Sequence, residues 1–287
     1  MSEKFRDESN QIIHTHIERL LEVLPDFCAE FFVGTEMRTS WLTRYNYAHD
    51  FIIFFDYLLT LRKFAGVNIT TFSFEHLDEI TSTDIENFLS KVTYRKVGVQ
   101  TRKNGENGKA RKLSAIRSLL KYFYNKDKIA HNVASKVSLP KIHDKEIVRL
   151  TQDEAVKLLD TARNGDSEPT SRKQHWEFLR DFAMVTLFLH TGMRISELVG
   201  LDVKDINLKE ECLSVVRKGG AGTVLYFDDT ARDALAEYIE IRKFKVGIEP
   251  LIKGDEDALF ISSRCRRIGI RTVQEIIKAQ AETAAPL

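Results

Sequence analysis

The spacing of apolar residues divides this chain into two parts with different predicted folds. In the first half, apolar residues recur at steps of three or four, which is the period of an α-helix. One such stripe consists of Trp41, Tyr45, Ala48, Ile52, Phe55 and Leu59. In the second half, helical patterns alternate with short β-rich runs at 212–216 and 223–227, which are joined by a glycine-rich turn. We therefore expect an N-terminal all-α helical bundle and a C-terminal, mainly α, mixed α/β domain with a small β-sheet or hairpin.

A stretch of mixed charge marks the predicted boundary between the two parts. Residues 138–150 contain a proline and lack an amphipathic period. A capping-box pattern, in which Thr151 is followed three residues later by Glu154, starts a new helix after them. The predicted divisions are an N-terminal helix and extension over 1–34, a helical core domain over 35–140, a linker over 141–150 and a second domain over 151–287.

Caps and turn residues predict further local features. Thr39 or Ser40 is expected to cap the helix that carries the stripe, and a capping-box pattern places the start of another helix at Thr83. Residues 98–108 have turn chemistry and no periodicity, so we expect a loop or a mobile hinge there. A short strand is expected at 259–261.

Composition places the chain among globular proteins. Apolar residues make up 43% of its 287 residues, which is enough for more than one core. The longest apolar stretch is far shorter than the roughly 20 residues that a membrane span needs, and the charged N-terminus has no signal-peptide pattern. The three cysteines lack the spacing of a disulfide framework or a zinc site. We expect no membrane segment, no metal and a cytoplasmic location.

Positive charge is concentrated in one segment, although the net charge of the chain is only +1. From Lys91 to Lys128, twelve residues are basic and two are acidic. A solvated helix face with a flexible loop is one interpretation, and a phosphate-binding surface is the other. Over 109–125 the apolar residues keep helical spacing while the basic residues fall mostly on another face, which favours the second. The candidate phosphate contacts are Arg95, Lys96, Arg102, Lys103, Lys109, Arg111, Lys112, Arg117 and Lys121.

A specific motif lies in the second domain. It consists of Thr191, Gly192, Met193, Arg194, Ile195, Ser196, Glu197 and Leu198, followed by Leu201 and Asp205. It resembles the box around the first catalytic arginine of the tyrosine recombinases, the phage-integrase family. The hairpin after it resembles the family's catalytic-lysine hairpin, and the similarity extends over about residues 35 to 287. The resemblance implies a SAM-like core DNA-binding domain and a catalytic domain that together clamp double-stranded DNA.

The resemblance also implies roles for individual residues. Arg194 would bind the scissile phosphate, because its planar fork donates two parallel hydrogen bonds and keeps its charge. Lys218 would be the general acid that protonates the departing 5′ oxygen, with Arg217 as the neighbouring candidate. Glu197 would hold Arg194 in place, although a spacing of three residues also fits an ordinary surface pair. No cofactor is implied, and family members act as tetramers on paired sites.

The family's later catalytic elements are not found in this sequence. A His-x-x-Arg box, a later His or Trp and the nucleophilic tyrosine would follow the helix that begins near Arg271, and the sequence ends at Leu287. None of the eight tyrosines occupies the nucleophile's place. The covalent phosphotyrosine step cannot occur without its nucleophile. We expect a fragment of a complete recombinase, and the alternatives are a natural truncation and a tail supplied by a separate chain.

Three functions are consistent with these patterns. The first is a site-specific DNA recombinase or integrase, with this chain inactive on its own. The second is a catalytically inactive DNA-binding regulator that occupies recombination sites. The third is a helical protein-interaction module, for which the basic segment would be a solvated face. Duplex binding that weakens steeply with salt would separate the first two functions from the third.

Overall fold

The computed structural model describes residues 3–97, 100–142, 149–164, 172–217 and 221–284. The chain divides into two compact units. The N-terminal unit is Glu8–Glu146, and the C-terminal unit is Ile147–Leu287 together with Met1–Asp7. Among the described residues, no helix is both long enough and apolar enough to span a membrane.

Helices make up most of the N-terminal unit, which confirms the predicted helical bundle. In chain order its elements are α1 (Glu3–Leu21, of which residues 8–21 belong to this unit), α2 (Phe27–Gly34), α3 (Trp41–Leu58), α4 (Phe74–Asp78), α5 (Ser82–Lys91), β1 (Tyr94–Val97), β2 (Gln100–Lys103) and α6 (Glu106–Tyr124). Short 3-10 turns at 36–38, 62–64, 69–71 and 133–136 connect or follow them.

Hydroxyl side chains cap two of these helices. The hydroxyl of Ser40, one of the two predicted caps, accepts a hydrogen bond from the Thr43 backbone N–H at 3.3 Å at the start of α3. At α5 the cap is Thr81, and its hydroxyl and the Asp84 carboxylate each accept the other residue's backbone N–H, at 3.2 and 2.8 Å. The predicted start at Thr83 is therefore wrong by two residues, because a second hydroxyl-to-acid pair with the same spacing lies just before it.

Aromatic side chains fill the core of the N-terminal unit. Phe31 and Phe51 are fully buried and meet edge to face, with ring centroids 5.5 Å apart. Phe27 meets Phe123 of α6 in the same way at 5.4 Å. Such edge-to-face pairs contribute beyond the area that they bury. Because Phe27 and Phe31 lie on α2, residues from the predicted extension 1–34 form part of this core.

A β-hairpin stands where a loop was predicted over 98–108. Strands β1 and β2 pair antiparallel, from Tyr94 opposite Lys103 to Val97 opposite Gln100. Helix α6 then begins at Glu106. The prediction of a loop or hinge is therefore wrong for residues 100–103, which form β2, and for 106–108, which lie in α6. Residues 104 and 105 connect these two elements, and residues 98 and 99 lie outside the described residues. Charged and polar residues occupy both strands, so no alternation of apolar and polar residues marked them.

The C-terminal unit combines helices with a small antiparallel sheet, as predicted. Its elements are α7 (Gln152–Asn164), α8 (Arg172–Thr191), α9 (Ile195–Val199), β3 (Ile206–Asn207), β4 (Cys212–Val216), β5 (Gly222–Tyr226), α10 (Asp229–Ile248) and α11 (Ile270–Ala284). The strand order is β3-β4-β5. The predicted capping box also forms, since Glu154 accepts the Thr151 backbone N–H at 2.7 Å.

The strand predicted at 259–261 does not form. Leu259, Phe260 and Ile261 are fully buried, but their backbone groups bond to scattered partners rather than to a neighbouring strand. The Leu259 N–H donates to the Leu201 carbonyl at 2.9 Å, and the Phe260 carbonyl accepts from the Ile268 N–H at 2.9 Å. Short apolar runs do not distinguish a buried strand from other buried segments, and here burial rather than sheet pairing explains the run.

Candidate active site and basic surface

The turn between α8 and α9 places Arg194 at the start of a helix. The Thr191 hydroxyl donates to the Leu187 carbonyl at 2.6 Å, and the Gly192 N–H donates to the Phe188 carbonyl at 2.9 Å. Gly192 has a φ of +60°, a conformation that glycine adopts without steric cost. Helix α8 ends at Thr191, and α9 begins at Ile195, immediately after Arg194.

Glu197 and Arg194 form a closely bonded pair. The Arg194 Nη1 donates to Oε1 of Glu197 at 2.8 Å, and the Arg194 backbone N–H donates to Oε2 at 2.9 Å. The carboxylate side chain is 6% exposed, whereas the arginine side chain is 64% exposed. A surface pair would expose both partners, so the structure favours the arrangement in which a buried carboxylate holds an exposed guanidinium.

Electrostatics keep Glu197 ionised. Burial alone would raise the pKa of this carboxyl, because it penalises the charged form. The hydrogen bonds from Arg194, together with the positive charges of Arg194 and Arg217, outweigh burial and hold the pKa below its ordinary value. Glu197 therefore stays negative and continues to accept both bonds at neutral pH.

Arg217 brings the β4–β5 hairpin into the same electrostatic environment. It follows the last residue of β4, and its backbone N–H donates to the Ala221 carbonyl at 2.9 Å. Its charge acts on Glu197, which also holds Arg194. Lys218, the predicted general acid, lies outside the described residues. Two arginines and one carboxylate are therefore the part of the predicted site that the structure brings together.

The two tyrosines of the C-terminal unit, Tyr226 and Tyr238, differ in burial and in position. Tyr238 is fully buried, and its hydroxyl donates to the Leu259 carbonyl at 3.0 Å and accepts from the Ile261 N–H at 3.2 Å. Burial raises the pKa of Tyr238 to about 12. Tyr226 is exposed and lies opposite Cys212, the first residue of β4, whereas Arg217 follows the last residue of β4, Val216. Cys212 and Val216 are four residues apart, which is roughly 13 Å at the rise of a strand.

Sequence reasoning missed a buried ion pair on α8. Arg180 Nε donates to Oδ1 of Asp181 at 2.8 Å, and its Nη1 donates to the Ile261 carbonyl at 3.2 Å. The guanidinium lies over the Trp176 ring, 5.0 Å from its centroid. Burial raises the pKa of Asp181 to about 6, despite the opposing charge of Arg180. The available signal was a charged pair inside an apolar helical run, between Leu179 and Phe182.

The structure places four of the predicted basic residues at or near the surface of the N-terminal unit. Lys103, Arg111 and Lys121 are exposed, and Lys109 is half-buried. Arg111 and Lys121 lie on the exposed face of α6, together with Ser114 and the half-buried Ser118. Arginine, lysine and serine are among the residue types that contact nucleic-acid phosphates.

Two predicted contacts are instead occupied inside the unit. Lys112 is only 3% exposed and lies 3.5 Å from the buried Asp50, so its predicted place on the exposed basic face is wrong. Arg117 is half-buried and donates to the Ala134 carbonyl at 3.2 Å and to the Val137 carbonyl. Both side chains hold α6 to neighbouring segments. Helical spacing alone could not reveal that α3 places a carboxylate beneath Lys112.

Three further predicted contacts lie on the β1–β2 hairpin. Arg95 and Lys96 are on β1 and Arg102 is on β2, with Arg95 and Arg102 directly opposite each other in register. Their side chains lie outside the described part of the structure. Within that part, no group of three or more histidine, cysteine or acidic residues is arranged to hold a metal ion.

Comparison with known proteins identifies the family of this chain. The model of the phage integrase family matches residues 148–285. The tyrosine recombinase XerC of Pelobacter propionicus is 30% identical over 225 residues, which cover 78% of this chain and 67% of that protein. The chain belongs to the tyrosine recombinases of the phage integrase family. This membership confirms the resemblance seen in the arginine box around Arg194.

Other recombinases are also similar to this chain. The XerC protein of Caldanaerobacter subterraneus is 31% identical over 246 residues, covering 83% of this chain and 63% of that protein. The chain therefore spans less than two thirds of this relative's length. The fold is also similar to the crystal structure of the XerH recombinase bound to its difH substrate, with a TM-score of 0.58, 18% identity and coverage of 90% of this chain and 68% of that one.

Proposed function

We propose that this chain is part of a site-specific DNA recombinase that binds double-stranded recombination sites and exchanges strands through a phosphotyrosine intermediate. The observation that carries the proposal is the buried carboxylate of Glu197 holding the exposed guanidinium of Arg194 inside the family's arginine box. Membership of the recombinase family and the exposed basic side chains of α6 support it. No cofactor takes part, and self-association into a tetramer on paired sites accompanies strand exchange.

In this mechanism Arg194 binds the scissile phosphate. The fork of its guanidinium donates to two phosphoryl oxygens and balances the charge that develops when the phosphate is attacked. Glu197 is a positioning residue that keeps the fork in one orientation. Lys218, the residue that follows Arg217 in the sequence, acts as the general acid.

The N-terminal unit supplies duplex affinity in this proposal. Lys103, Lys109, Arg111 and Lys121 contact backbone phosphates, and Arg95, Lys96 and Arg102 of the hairpin extend the contact surface. Contacts of this kind give affinity that depends on salt and carry little sequence information. The division into a helical DNA-binding domain, a linker at about 141–150 and a catalytic domain remains part of the proposal.

We further propose that this chain does not supply the nucleophile. The placement of Tyr226 and Tyr238 supports this proposal. Tyr226 lies at the opposite end of the β4–β5 ladder from Arg217, and Tyr238 is buried in the core. The same observation favours a second candidate function, a catalytically inactive DNA-binding regulator that occupies recombination sites.

Two measurements test the proposal. The first is binding of fluorescent duplexes, selected from a random-sequence pool, at salt concentrations from 50 to 200 mM. We expect affinity to fall steeply with salt, and binding that is absent or independent of salt would contradict the recombinase and the regulator alike.

The second measurement uses a nicked duplex that traps covalent protein–DNA adducts. We expect none from this chain, and an adduct that Tyr226→Phe removes would overturn the absence of a nucleophile.

A further inference from the structure

A buried carboxylate lies behind an exposed arginine on the basic face of α6. Asp50 of α3 is fully buried. Its Oδ2 accepts a hydrogen bond from Nη1 of Arg111 at 2.6 Å, and its Oδ1 lies 3.5 Å from Nζ of Lys112. The side chain of Arg111 is 44% exposed, whereas that of Lys112 is 4% exposed. One buried anion therefore contacts a buried cation and a surface cation.

Stability does not explain this arrangement well. Burial raises the pKa of Asp50, and the charges of Lys112 and Arg111 oppose that rise only in part. Buried ion pairs can often be replaced by apolar residues without loss of stability. Lys112 alone would balance the charge of Asp50, so the bond to Arg111 is an additional constraint on a side chain at the surface.

The hydrogen bond to Asp50 fixes one nitrogen, Nη1, of the Arg111 guanidinium. Nη1 also donates to the Asn46 carbonyl at 3.4 Å. Within the described part of the chain, Nε and Nη2 of Arg111 have no hydrogen-bond partner. These nitrogens form one edge of the planar fork, which can donate two parallel hydrogen bonds to a phosphate. An arginine that is already ordered loses less side-chain freedom when it binds.

We propose that Asp50 is a positioning residue for DNA binding, which fixes the guanidinium of Arg111 so that its free edge binds a backbone phosphate of the duplex. This inference rests on the proposed DNA-binding function. Other cations of α6 differ from Arg111. Nε and Nη2 of Arg117 donate hydrogen bonds to the backbone carbonyls of Ala134 and Val137. Lys121 is exposed and has no carboxylate partner among the described residues.

Positioning and simple electrostatics predict opposite effects for Asp50→Asn. The substitution removes a negative charge beneath the basic surface, so electrostatics alone would make duplex binding tighter. If Asp50 acts by orienting Arg111, binding becomes weaker although the surface is more positive. The sign of the change in affinity therefore separates the two explanations.

The experiment is a double-mutant cycle on the full chain. Duplex affinity is measured by fluorescence anisotropy for the parent, Asp50→Asn, Arg111→Ala and the double variant, each checked for folding by circular dichroism. We expect each single change to weaken binding about tenfold, as for the loss of a charge-assisted hydrogen bond, and the double variant to bind like Arg111→Ala. Glu36→Gln, which breaks the Glu36–Arg44 pair in the same unit, should leave affinity unchanged.

Arg111→Lys gives a second measurement that does not depend on folding of the buried variant. Lysine keeps the charge but lacks the second edge of the fork, so we expect nearly the full loss seen for Arg111→Ala. Equal or tighter binding by Asp50→Asn, a further loss in the double variant, or parental affinity of Arg111→Lys would each overturn the role of Asp50. Failure of the parent protein to bind duplex DNA would overturn the proposed function as well.

Discussion

Glu197 holds Arg194 through both of its carboxylate oxygens, one on the guanidinium at 2.8 Å and one on the backbone N–H at 2.9 Å. The carboxylate is buried and the guanidinium is exposed, so the pair is asymmetric. The buried partner fixes both the start of α9 and the direction of the side chain. Changes at Glu197 should therefore affect stability as well as phosphate binding.

Glu197→Gln should lower the free energy of unfolding by about 1–3 kcal/mol. The amide keeps the shape but replaces one charged acceptor by an NH₂ group that faces donors. Urea denaturation monitored by circular dichroism measures the change. The control is Glu240→Gln, whose carboxylate pairs with Lys243 at the surface and should matter by less than about 1 kcal/mol. Equal effects of the two substitutions would argue against the buried clamp.

Arg194→Ala should abolish cleavage in a recombinase that contains this chain together with a nucleophilic tyrosine. Loss of a group that stabilises developing charge typically lowers the rate by about a hundred- to a thousandfold. Duplex affinity should change only modestly, because many phosphate contacts lie elsewhere. Cleavage of a labelled duplex and anisotropy measure the two quantities, with Arg271→Ala as an exposed-arginine control. Equal cleavage by the Arg194 variant and the parent would disprove the assignment.

Gly192→Ala should destabilise the protein by about 1–2 kcal/mol through backbone strain alone. A Cβ at Gly192 would meet no atom within 4 Å, but the φ of +60° is unfavourable for any residue with a side chain. Gly222→Ala is the matched control, because a Cβ there also meets open space and its φ is not in the left-handed region. Thermal unfolding of the two variants should differ, and similar losses would contradict the strain argument.

The sequence predicted those features that depend on local patterns. Helical spacing identified the bundle, two short β-rich runs joined by a glycine-rich turn identified the β4–β5 hairpin, and the spacing of Arg194 and Glu197 placed them one helical turn apart. A glycine after a helix is typical of a left-handed C-terminal cap, and Gly192 has this conformation in the turn before Arg194.

Other features depend on tertiary contacts that local patterns do not contain. Lys112 and Arg111 are adjacent in sequence and equally basic, yet only one is buried, because Asp50 lies beneath it on α3. Strands β1 and β2 carry no apolar alternation, and the buried run 259–261 has no partner strand. Burial of Glu197 likewise could not follow from its spacing, which fits an exposed pair equally well.

Asp181 should make stability depend on pH in the acidic range. Burial raises its pKa from about 3.8 to about 6, so between these values the folded protein holds a proton that the unfolded chain releases. Stability therefore decreases as the pH rises through this window and is constant above it. The difference in unfolding free energy between the parent and Asp181→Asn should fall from pH 4 to pH 6 in urea titrations. A difference that stays constant or grows would contradict the raised pKa.

Two cations on α6 should respond differently to removal, because Lys121 is exposed whereas Arg117 is half-buried and bonded to backbone carbonyls. Lys121→Ala should weaken duplex binding and reduce the slope of log affinity against log salt by about 0.9, the value for one phosphate contact. Arg117→Ala should leave that slope unchanged and instead lower stability by about 1–3 kcal/mol, because the carbonyls of Ala134 and Val137 lose their donors. Anisotropy titrations from 50 to 200 mM salt and urea denaturation of both variants measure these effects. A reduced slope for Arg117→Ala with unchanged stability would show that its guanidinium contacts DNA rather than the segment after α6.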